Sequence, residues 1–228
     1  MSTDPDTLLS GPRVGPQAGG AATALVVLLH GYGADGRDLA GLAGPLGEAL
    51  PRAAFRAPNA PERCRINPMG YQWFPIPWID GAPEAEMEAS FRASVERLDG
   101  WLDAAMAAEG VDAAATALVG FSQGTMMSLY VAPRRAEAVA GIVGFSGRLV
   151  AGEDLAQAAR VRPPVLLVHG DRDEVIPVAA LSEAERGLSG AGFAVEAHVS
   201  PGTPHGIAPD GLGHAARFLS RVLPGAAR

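Results

Sequence analysis

The chain has 228 residues, of which 48% are hydrophobic and 19% are charged. This length suits one α/β domain with a substantial buried core, and the composition excludes a chain that is disordered throughout. The formal net charge of −7, from 18 Lys and Arg against 25 Asp and Glu, offers no electrostatic basis for binding nucleic acid.

The N-terminal sequence and the cysteine content indicate the cellular compartment. Cys64 is the single cysteine, so no internal disulfide can form, which fits a reducing environment. Residues 1–20 lack the basic start and apolar run of a signal peptide, and the apolar stretch 21–29 is far shorter than the ~20 residues of a membrane-spanning helix. We expect a cytoplasmic protein, monomeric or homodimeric, without stable membrane insertion.

From residue 23 onward, short apolar runs alternate with longer amphipathic segments. Residues 1–22 contain many glycines and prolines and are predicted to form a flexible arm, and residues 23–224 are predicted to form a single domain. Continuous apolar runs predict buried strands at 25–29, 117–121, 139–145 and 165–169, with weaker candidates at 53–57 and 193–199. Helical periodicity predicts helices at 86–109, 125–132, 178–188 and 212–222. This alternation predicts a three-layer α/β/α sandwich with a mainly parallel central sheet.

One segment, from Pro58 to Pro83, interrupts the alternation with six prolines and several aromatic residues. Prolines make such a segment irregular but stiff. It is either a surface excursion with a small core of its own or a wall that holds an apolar acyl group. The candidate substrate-contacting residues, each of which also suits an ordinary core position, are Trp73, Phe74, Trp78 and Met126.

The strongest local signal is Gly120-Phe121-Ser122-Gln123-Gly124, which lies between a predicted strand and a predicted helix. A G-x-S-x-G sequence in that context is typical of a sharp turn that exposes a nucleophilic serine. The glycines let neighbouring backbone segments pass closely, and the helix N-terminus favours developing negative charge. The alternative is a glycine-rich turn whose serine only caps the helix. The pattern favours Ser122 as a nucleophile.

A serine hydroxyl needs a base, and the base needs a carboxylate that orients it. His205 lies between small, turn-forming residues after the last predicted strand and is the favoured base; the alternative is a surface histidine. Asp171, Asp173 and Glu174 compete for the role of the acid. Asp173 is favoured because it lies four residues after the predicted strand and four before Pro177, so its side chain can point toward the His205 loop. Asp171 follows a glycine and more readily shapes the turn. The chain order Ser122, Asp173, His205 is the order expected of hydrolases that carry this turn.

A glycine-rich loop, His30-Gly31-Tyr32-Gly33, follows the first predicted strand. Acyl transfer places negative charge on a carbonyl oxygen, which fixed backbone N–H groups stabilise. The backbone N–H groups of Tyr32 and Gln123 are the predicted donors of this oxyanion hole. The loop lacks the lysine and the glycine spacing of phosphate-binding loops, so nucleotide binding is disfavoured.

A metal centre is an alternative use of the same histidines and carboxylates. His169, Asp171 and Asp173 could bind a hydrolytic metal ion together with His30 or His205. That interpretation explains neither the turn around the serine nor the glycine-rich loop. We therefore expect neither a metal nor a cofactor.

Four motifs occur in order along the chain: His30-Gly31-Tyr32-Gly33-Ala34-Asp35-Gly36, Gly120-Phe121-Ser122-Gln123-Gly124, His169-Gly170-x-x-Asp173-x-Val175-Ile176-Pro177 and His205-Gly206. Over residues 22–222 the chain resembles the phospholipase/carboxylesterase family, which includes bacterial carboxylesterases and eukaryotic acyl-protein thioesterases. The resemblance implies an α/β-hydrolase fold and activity on short to medium acyl esters. It also implies a metal-free Ser122, Asp173 and His205 triad, with oxyanion donors at Tyr32 and Gln123.

Two departures separate this chain from the eukaryotic thioesterases it resembles. Thr125 stands where those proteins usually carry glycine, and Tyr32 stands where they usually carry leucine. Residues 67–74 are more similar to the bacterial carboxylesterases. We therefore expect a serine carboxylesterase that acts on a small-molecule ester through an acyl-enzyme intermediate. Lysophospholipase or acyl-protein thioesterase activity, and a non-catalytic binding module on the same fold, remain alternatives.

Overall fold

The computed structural model describes residues 4–227, in which helices cover both faces of a central sheet. The strands are β1 (Arg13–Val14), β2 (Ala24–Leu29), β3 (Ala53–Arg56), β4 (Glu62–Arg63), β5 (Tyr71–Gln72), β6 (Thr116–Phe121), β7 (Gly141–Phe145), β8 (Val165–Gly170) and β9 (Val195–Ser200). The α-helices are α1 (Gly36–Ala40), α2 (Ala43–Ala49), α3 (Pro77–Asp80), α4 (Glu84–Glu109), α5 (Gln123–Val131), α6 (Leu155–Ala158), α7 (Ala179–Gly190) and α8 (Pro209–Val222). Single-turn 3-10 helices are Pro5–Thr7, Ala113–Ala115 and Ala132–Arg134.

The strand order brings the carboxyl ends of the parallel strands to one edge of the sheet. Within residues 4–227 the seven-stranded sheet has the order β1-β3-β2-β6-β7-β8-β9. β1 pairs antiparallel with β3, and the remaining neighbours pair in parallel. β4 and β5 form a separate antiparallel pair. The predicted three-layer α/β/α sandwich with a mainly parallel sheet is confirmed.

Side-chain alternation along β2 shows how the sheet separates two cores. Every residue of β2 is buried. The odd-numbered side chains enter a core with α4, α5 and α7, and the even-numbered side chains enter a core with α2 and α8. A strand covered by helices on both faces is apolar at consecutive positions, because successive side chains point to opposite faces. The apolar run at 25–29 predicted this strand for that reason.

The described part of the N-terminal segment contacts the domain, in contrast to the flexible arm predicted for residues 1–22. β1 adds an edge strand to β3. Leu9 is buried in the core, and its carbonyl accepts a hydrogen bond from the Trp101 indole at 3.0 Å. Glycine and proline remove helical periodicity, but they do not prevent an extended segment from pairing with a sheet edge. Residues 1–3 of the predicted arm, and Arg228, lie outside the described residues.

The sequence does not predict α1 and α2, which have only five and seven residues. α2 contains Gly44, Pro45 and Gly47, and these residue types have low helix propensity. Leu46 is fully buried in the core that α2 shares with α8. Tertiary packing therefore stabilises a helix that its own sequence does not favour.

α4, with 26 residues, is the longest helix of the described chain. Leu98, Leu102 and Met106 are buried on the stripe that helical spacing predicts. The helix ends before Gly110, whose φ of 68° is left-handed and suits glycine. Among the helices described, none combines the length and the apolar character needed to cross a bilayer.

Glu109, the last residue of α4, connects this helix to the sheet and to the N-terminal segment. Its nearly buried carboxylate accepts hydrogen bonds from the guanidinium of Arg13 at 2.7 Å and from that of Arg56 at 2.6 Å. Burial raises the pKa of Glu109, but the hydrogen bonds and charges of both arginines outweigh burial and hold that pKa below its ordinary value. The carboxylate is therefore ionised at neutral pH and stabilises the fold.

We expect Glu109→Gln to lower the free energy of unfolding by about 2–3 kcal/mol at neutral pH, because Arg13 loses its counter-charge and Arg56 keeps only that of Asp6, 4.0 Å away. The folded-state pKa is lowered, so the stabilisation is complete above the unfolded-state pKa of about 4.3. It is lost as the pH falls through the folded-state pKa. Urea unfolding across this pH range measures the difference.

Glu96→Gln is the matched control, since Glu96 is exposed on the same helix. We expect it to change the free energy of unfolding by no more than about 0.5 kcal/mol. Equal losses in the two variants, or a Glu109→Gln loss that does not depend on pH, would contradict the stabilising role of this carboxylate.

Candidate active site

The turn between β6 and α5 holds Ser122 in an uncommon backbone conformation. Its φ is 53° and its ψ is −113°, a region that costs a non-glycine residue roughly 1–3 kcal/mol. The N–H of Ser122 donates to the carbonyl of Phe145 on β7 at 2.9 Å, and its carbonyl accepts from the N–H of Met126 at 3.2 Å. The surrounding sheet and helix therefore hold the strained residue in place.

Glycines on both sides of Ser122 are required by close backbone contacts. A Cβ on Gly124 would lie 1.8 Å from the carbonyl oxygen of Leu29, and one on Gly120 would lie 2.4 Å from the backbone of Gly124. The hydroxyl oxygen of Thr125 lies 2.8 Å from the carbonyl oxygens of Gly120 and Phe145. Thr125 thus connects α5 to the ends of β6 and β7.

Two backbone N–H groups near Ser122 have no backbone partner within residues 4–227. The N–H of Gln123 is the first of α5 and therefore precedes the first intrahelical hydrogen bond. The N–H of Tyr32, on the loop after β2, donates to none of the described carbonyls. Both residues line the same cleft as Ser122. These are the two donors that the sequence predicts for an oxyanion hole.

His205 lies on the loop between β9 and α8, and Asp173 lies on the loop between β8 and α7. Nδ1 of His205 is 2.7 Å from Oδ2 of Asp173, with the carboxylate fully buried and the imidazole 18% exposed. The imidazole packs against Phe121, the residue before Ser122, with ring centroids 4.8 Å apart. His205 and Ser122 line one cleft. The structure thus brings together the three loops that the sequence selected.

Asp173 is held as a carboxylate by several donors. Burial raises its pKa, but the N–H of Ile176, the His205 imidazole and the N–H of Val175 outweigh burial, and the pKa lies below its ordinary value. Oδ1 accepts from the N–H of Val175 at 2.9 Å and from the N–H of Ile176 at 2.8 Å. Oδ2 is consequently directed to His205.

Asp171 and His169, which the sequence analysis considered together with Asp173 as metal ligands, have different surroundings. Asp171 is exposed, and its N–H donates to the carbonyl of Ser200 in the turn after β8. His169 is buried, and its Nε2 donates to the carbonyl of Ile176 at 2.8 Å and lies 3.3 Å from Oδ2 of Asp173. His169 therefore supports the loop that carries Asp173, and Asp171 belongs to the surface of that loop.

His30 is buried with both ring nitrogens bonded to backbone. Nδ1 donates to the carbonyl of Gly31 at 2.7 Å, and Nε2 accepts from the N–H of Ala60 at 2.9 Å. Burial lowers the pKa of His30, and the hydrogen bond to Gly31 offsets only part of that effect. The ring is therefore a neutral structural group. Among residues 4–227, no group of three or more His, Cys, Asp or Glu side chains is arranged to hold a metal ion.

A cleft of about 1020 Å³ opens over Ser122 and His205. Its walls come from the loops that follow β2, β6, β7, β8 and β9, together with α3 and the start of α4. Most of the lining side chains are apolar. Such a space accommodates an apolar group next to a few directed polar groups.

Of the four predicted substrate-contacting residues, three line the cleft and one does not. Phe74, Trp78 and Met126 line the cleft, and Trp78 is 78% exposed. Trp73 is fully buried in the core, where its indole N–H donates to the carbonyl of His30 at 3.0 Å. An irregular, proline-rich segment has no periodicity, so the sequence alone does not predict which way the ring of a tryptophan in it points.

The side chain of Gln123 forms hydrogen bonds that connect segment 58–83 to the turn between β6 and α5. Oε1 accepts from the N–H of Trp73 at 3.1 Å, and Nε2 donates to the carbonyl of Phe74 at 2.8 Å. The segment 58–83 therefore forms a wall of the cleft, and it contributes Trp73 to the main core of the domain instead of forming a small core of its own.

Sequence reasoning missed Phe91 and Tyr130 as cleft residues. The ring of Phe91 packs edge-on against Phe74 and Tyr130, with centroids 5.3 Å and 4.7 Å away. All three side chains line the cleft. Phe91 lies on the predicted apolar stripe of α4, and that spacing alone does not distinguish a cleft residue from a core residue.

Comparisons with known proteins agree with this geometry. The family model described as phospholipase/carboxylesterase matches residues 15–223. The crystal structure of esterase PE8 has 44% sequence identity and a TM-score of 0.88, covering 94% of this chain and 99% of that chain. Esterase YpfH of Escherichia coli K12 is 28% identical over 204 residues, covering 89% of this chain and 84% of that protein. Acyl-protein thioesterase 1 of Gibberella zeae is 26% identical over 232 residues, covering 95% and 99%. The chain belongs to the phospholipase/carboxylesterase family and is an enzyme with the α/β-hydrolase fold.

Proposed function

We propose that the enzyme is a serine carboxylesterase that hydrolyses short to medium acyl esters of small molecules. The observation that carries the proposal is the 2.7 Å contact between His205 and Asp173, made by an imidazole that shares its cleft with Ser122. A buried carboxylate that fixes an imidazole in the same cleft as a serine is the arrangement that activates a hydroxyl for attack. The esterase relatives agree with this activity.

In the first step, the Ser122 oxygen attacks the ester carbonyl carbon while Nε2 of His205 takes the hydroxyl proton. Asp173 accepts from Nδ1, so that Nε2 is the nitrogen available as base, and it stabilises the imidazolium that forms. The tetrahedral intermediate then collapses. His205 returns the proton to the leaving alcohol, and an acyl-Ser122 ester remains.

In the second step, water attacks the acyl-enzyme carbonyl with His205 again as the base. The acid is released, and the proton returns to Ser122. In both steps negative charge develops on the substrate carbonyl oxygen, which the N–H groups of Tyr32 and Gln123 stabilise. The N-terminus of α5, where Gln123 lies, favours that charge further.

We expect Ser122→Ala to lower kcat for p-nitrophenyl butyrate by roughly 10⁴–10⁶-fold, because the nucleophile is lost while the cleft remains. The variant is expected to fold, because alanine keeps the backbone hydrogen bonds at this position. Initial rates, together with circular dichroism of both proteins, measure this. A fluorophosphonate probe should label the wild-type enzyme on the peptide that contains Ser122 and should not label the variant.

Retention of one tenth of the wild-type rate by Ser122→Ala would remove this serine from the mechanism. Because no proposed step uses a metal ion, turnover should be unchanged after dialysis against EDTA. A large loss that Zn²⁺ or another divalent ion restores would point to a different reaction centre.

We expect Asp173→Asn to lower kcat by about 10⁴-fold, since an amide in this position favours the wrong tautomer of the base. Asp171→Asn is the matched control, two residues away and exposed, and should keep nearly the wild-type rate. Comparable losses in the two variants would show that the acid has been misassigned or that the loop as a whole has moved.

Thioester hydrolysis is a second candidate, favoured by the thioesterase relative that covers 95% of this chain and by the cleft of about 1020 Å³. A panel of p-nitrophenyl esters from acetate to palmitate, acyl-thiocholines and lysophosphatidylcholine separates the candidates. We expect kcat/KM to be greatest for esters of about two to eight carbons. A preference of tenfold or more for a thioester or a lysolipid would replace the proposed substrate class.

A further inference from the structure

The side chain of Tyr32 makes a specific hydrogen bond that the proposed reaction does not use. Its hydroxyl donates to Oδ2 of Asp80 at 2.8 Å, across a sequence separation of 48 residues. Asp80 is the last residue of α3, and its neighbours Trp78 and Ile79 line the cleft. The bond therefore joins the glycine-rich loop after β2 to the part of the cleft wall that α3 forms.

Asp80 is well suited to be a fixed anchor. Oδ2 also accepts from the N–H of Ile76 at 2.9 Å, and Oδ1 accepts from the N–H of Ala82 at 3.0 Å. The residues just before and just after α3 are thus both bonded to the Asp80 carboxylate. Burial raises the pKa of Asp80, but the two N–H groups and the Tyr32 hydroxyl outweigh burial and lower it. An ionised carboxylate with three donors has little freedom to move.

The Tyr32 hydroxyl stays protonated and so remains a donor. Burial raises its pKa, and the bond to Asp80 and the nearby thiol of Cys64 raise it further. A neutral hydroxyl that donates to an ionised carboxylate makes a charge-assisted hydrogen bond, which is stronger than one between neutral groups.

The backbone around Tyr32 shows why a side-chain anchor matters here. The carbonyl of Gly31 belongs to the same peptide unit as the N–H of Tyr32, and it accepts from Nδ1 of His30 at 2.7 Å and from the N–H of Ala34 at 3.3 Å. A peptide unit held only at its carbonyl can still swing about that contact, and a glycine on one side resists such a swing poorly. On the other side of Tyr32, the N–H of Gly33 donates to the carbonyl of Tyr71 at 2.8 Å. The Tyr32 side chain adds a further point of attachment at the residue that carries the N–H.

We propose that the Tyr32 hydroxyl is a positioning group that, through Asp80, directs the Tyr32 peptide N–H toward the substrate oxyanion. The inference rests on the proposed function, because it concerns one of the two donors assigned there. It also makes the geometry of that donor depend on the α3 wall that carries Trp78 and Ile79. Small errors in the placement of reacting groups reduce turnover strongly, so a modest loosening of this N–H is measurable.

The first test is Tyr32→Phe, which removes the hydroxyl and leaves the backbone donor in place. We expect kcat for p-nitrophenyl butyrate to fall about tenfold, less than the ~10²–10³ of a deleted oxyanion donor, with KM unchanged within about twofold. An alkyl trifluoromethyl ketone provides the second readout. The Ser122 oxygen adds to its carbonyl carbon, His205 takes the proton, and the former carbonyl oxygen becomes an oxyanion. The inhibition constant of the ketone should rise in Tyr32→Phe by the same factor by which kcat falls.

Asp80→Ala completes a double-mutant cycle. It should lower kcat at least as much as Tyr32→Phe, and adding Tyr32→Phe to it should change kcat no further, because the hydroxyl has already lost its acceptor. A further tenfold fall in the double variant would show that the hydroxyl acts without Asp80 and would overturn the proposal.

Glu109→Gln is the stability control, since Glu109 lies at the far end of α4 and is expected to affect unfolding alone. It should leave kcat unchanged at a temperature where all variants are folded. The proposal is overturned if Tyr32→Phe lowers the melting temperature but leaves kcat and the ketone inhibition constant at wild-type values. It is also overturned if KM rises while kcat is constant, since the side chain then acts only in substrate binding.

The failure of this inference can be distinguished from failure of the proposed function. If the wild-type enzyme is labelled at Ser122 and hydrolyses esters while Tyr32→Phe behaves as wild type, only the positioning role is lost. If fluorophosphonate does not label Ser122, the proposed function fails, and the positioning role fails with it.

Discussion

The contact between Gly124 and the end of β2 constrains the whole cleft. A Cβ at this position would lie 1.8 Å from the carbonyl oxygen of Leu29 and 2.9 Å from that of His30. α5 can therefore start directly beside the glycine-rich loop, and the chain enters it through Ser122 at a φ of 53°. The first N–H of α5 and the N–H of Tyr32 reach the same cleft as a result. The strained backbone conformation of Ser122 persists because the sheet holds its N–H and the helix holds its carbonyl.

The segment 58–83 is bonded to this turn from the other side. The Gln123 side chain bonds to the backbone at Trp73 and Phe74, and the Trp73 indole bonds to the carbonyl of His30. The Nε2 of His30 in turn accepts from the N–H of Ala60. A buried polar network whose members all have partners is rigid and specifies one arrangement. The irregular segment is thus part of the support of the candidate site, although it contains little regular structure.

Asp173 and His205, the proposed acid and base, lie on loops at the carboxyl ends of β8 and β9. Two backbone N–H groups hold Oδ1 of Asp173, which directs Oδ2 to His205. The exposed Asp171 has no such support within the described chain. The same carboxylate chemistry at two nearby positions therefore has different consequences, because only the inward position is desolvated and surrounded by donors.

Sequence alone determined the parallel strands and the helices α4, α5, α7 and α8 of the sandwich, and it selected Ser122, Asp173 and His205 as the candidate site. These features leave local signals, because the period of a buried strand, the period of an amphipathic helix and a G-x-S-x-G turn each extend over a few neighbouring residues. Tertiary structure decided the rest: the pairing of β1 with β3, the burial of Trp73, and the bond between Tyr32 and Asp80. These partners are distant in sequence and have no periodicity, so only the folded chain, which brings their surfaces together, selects them.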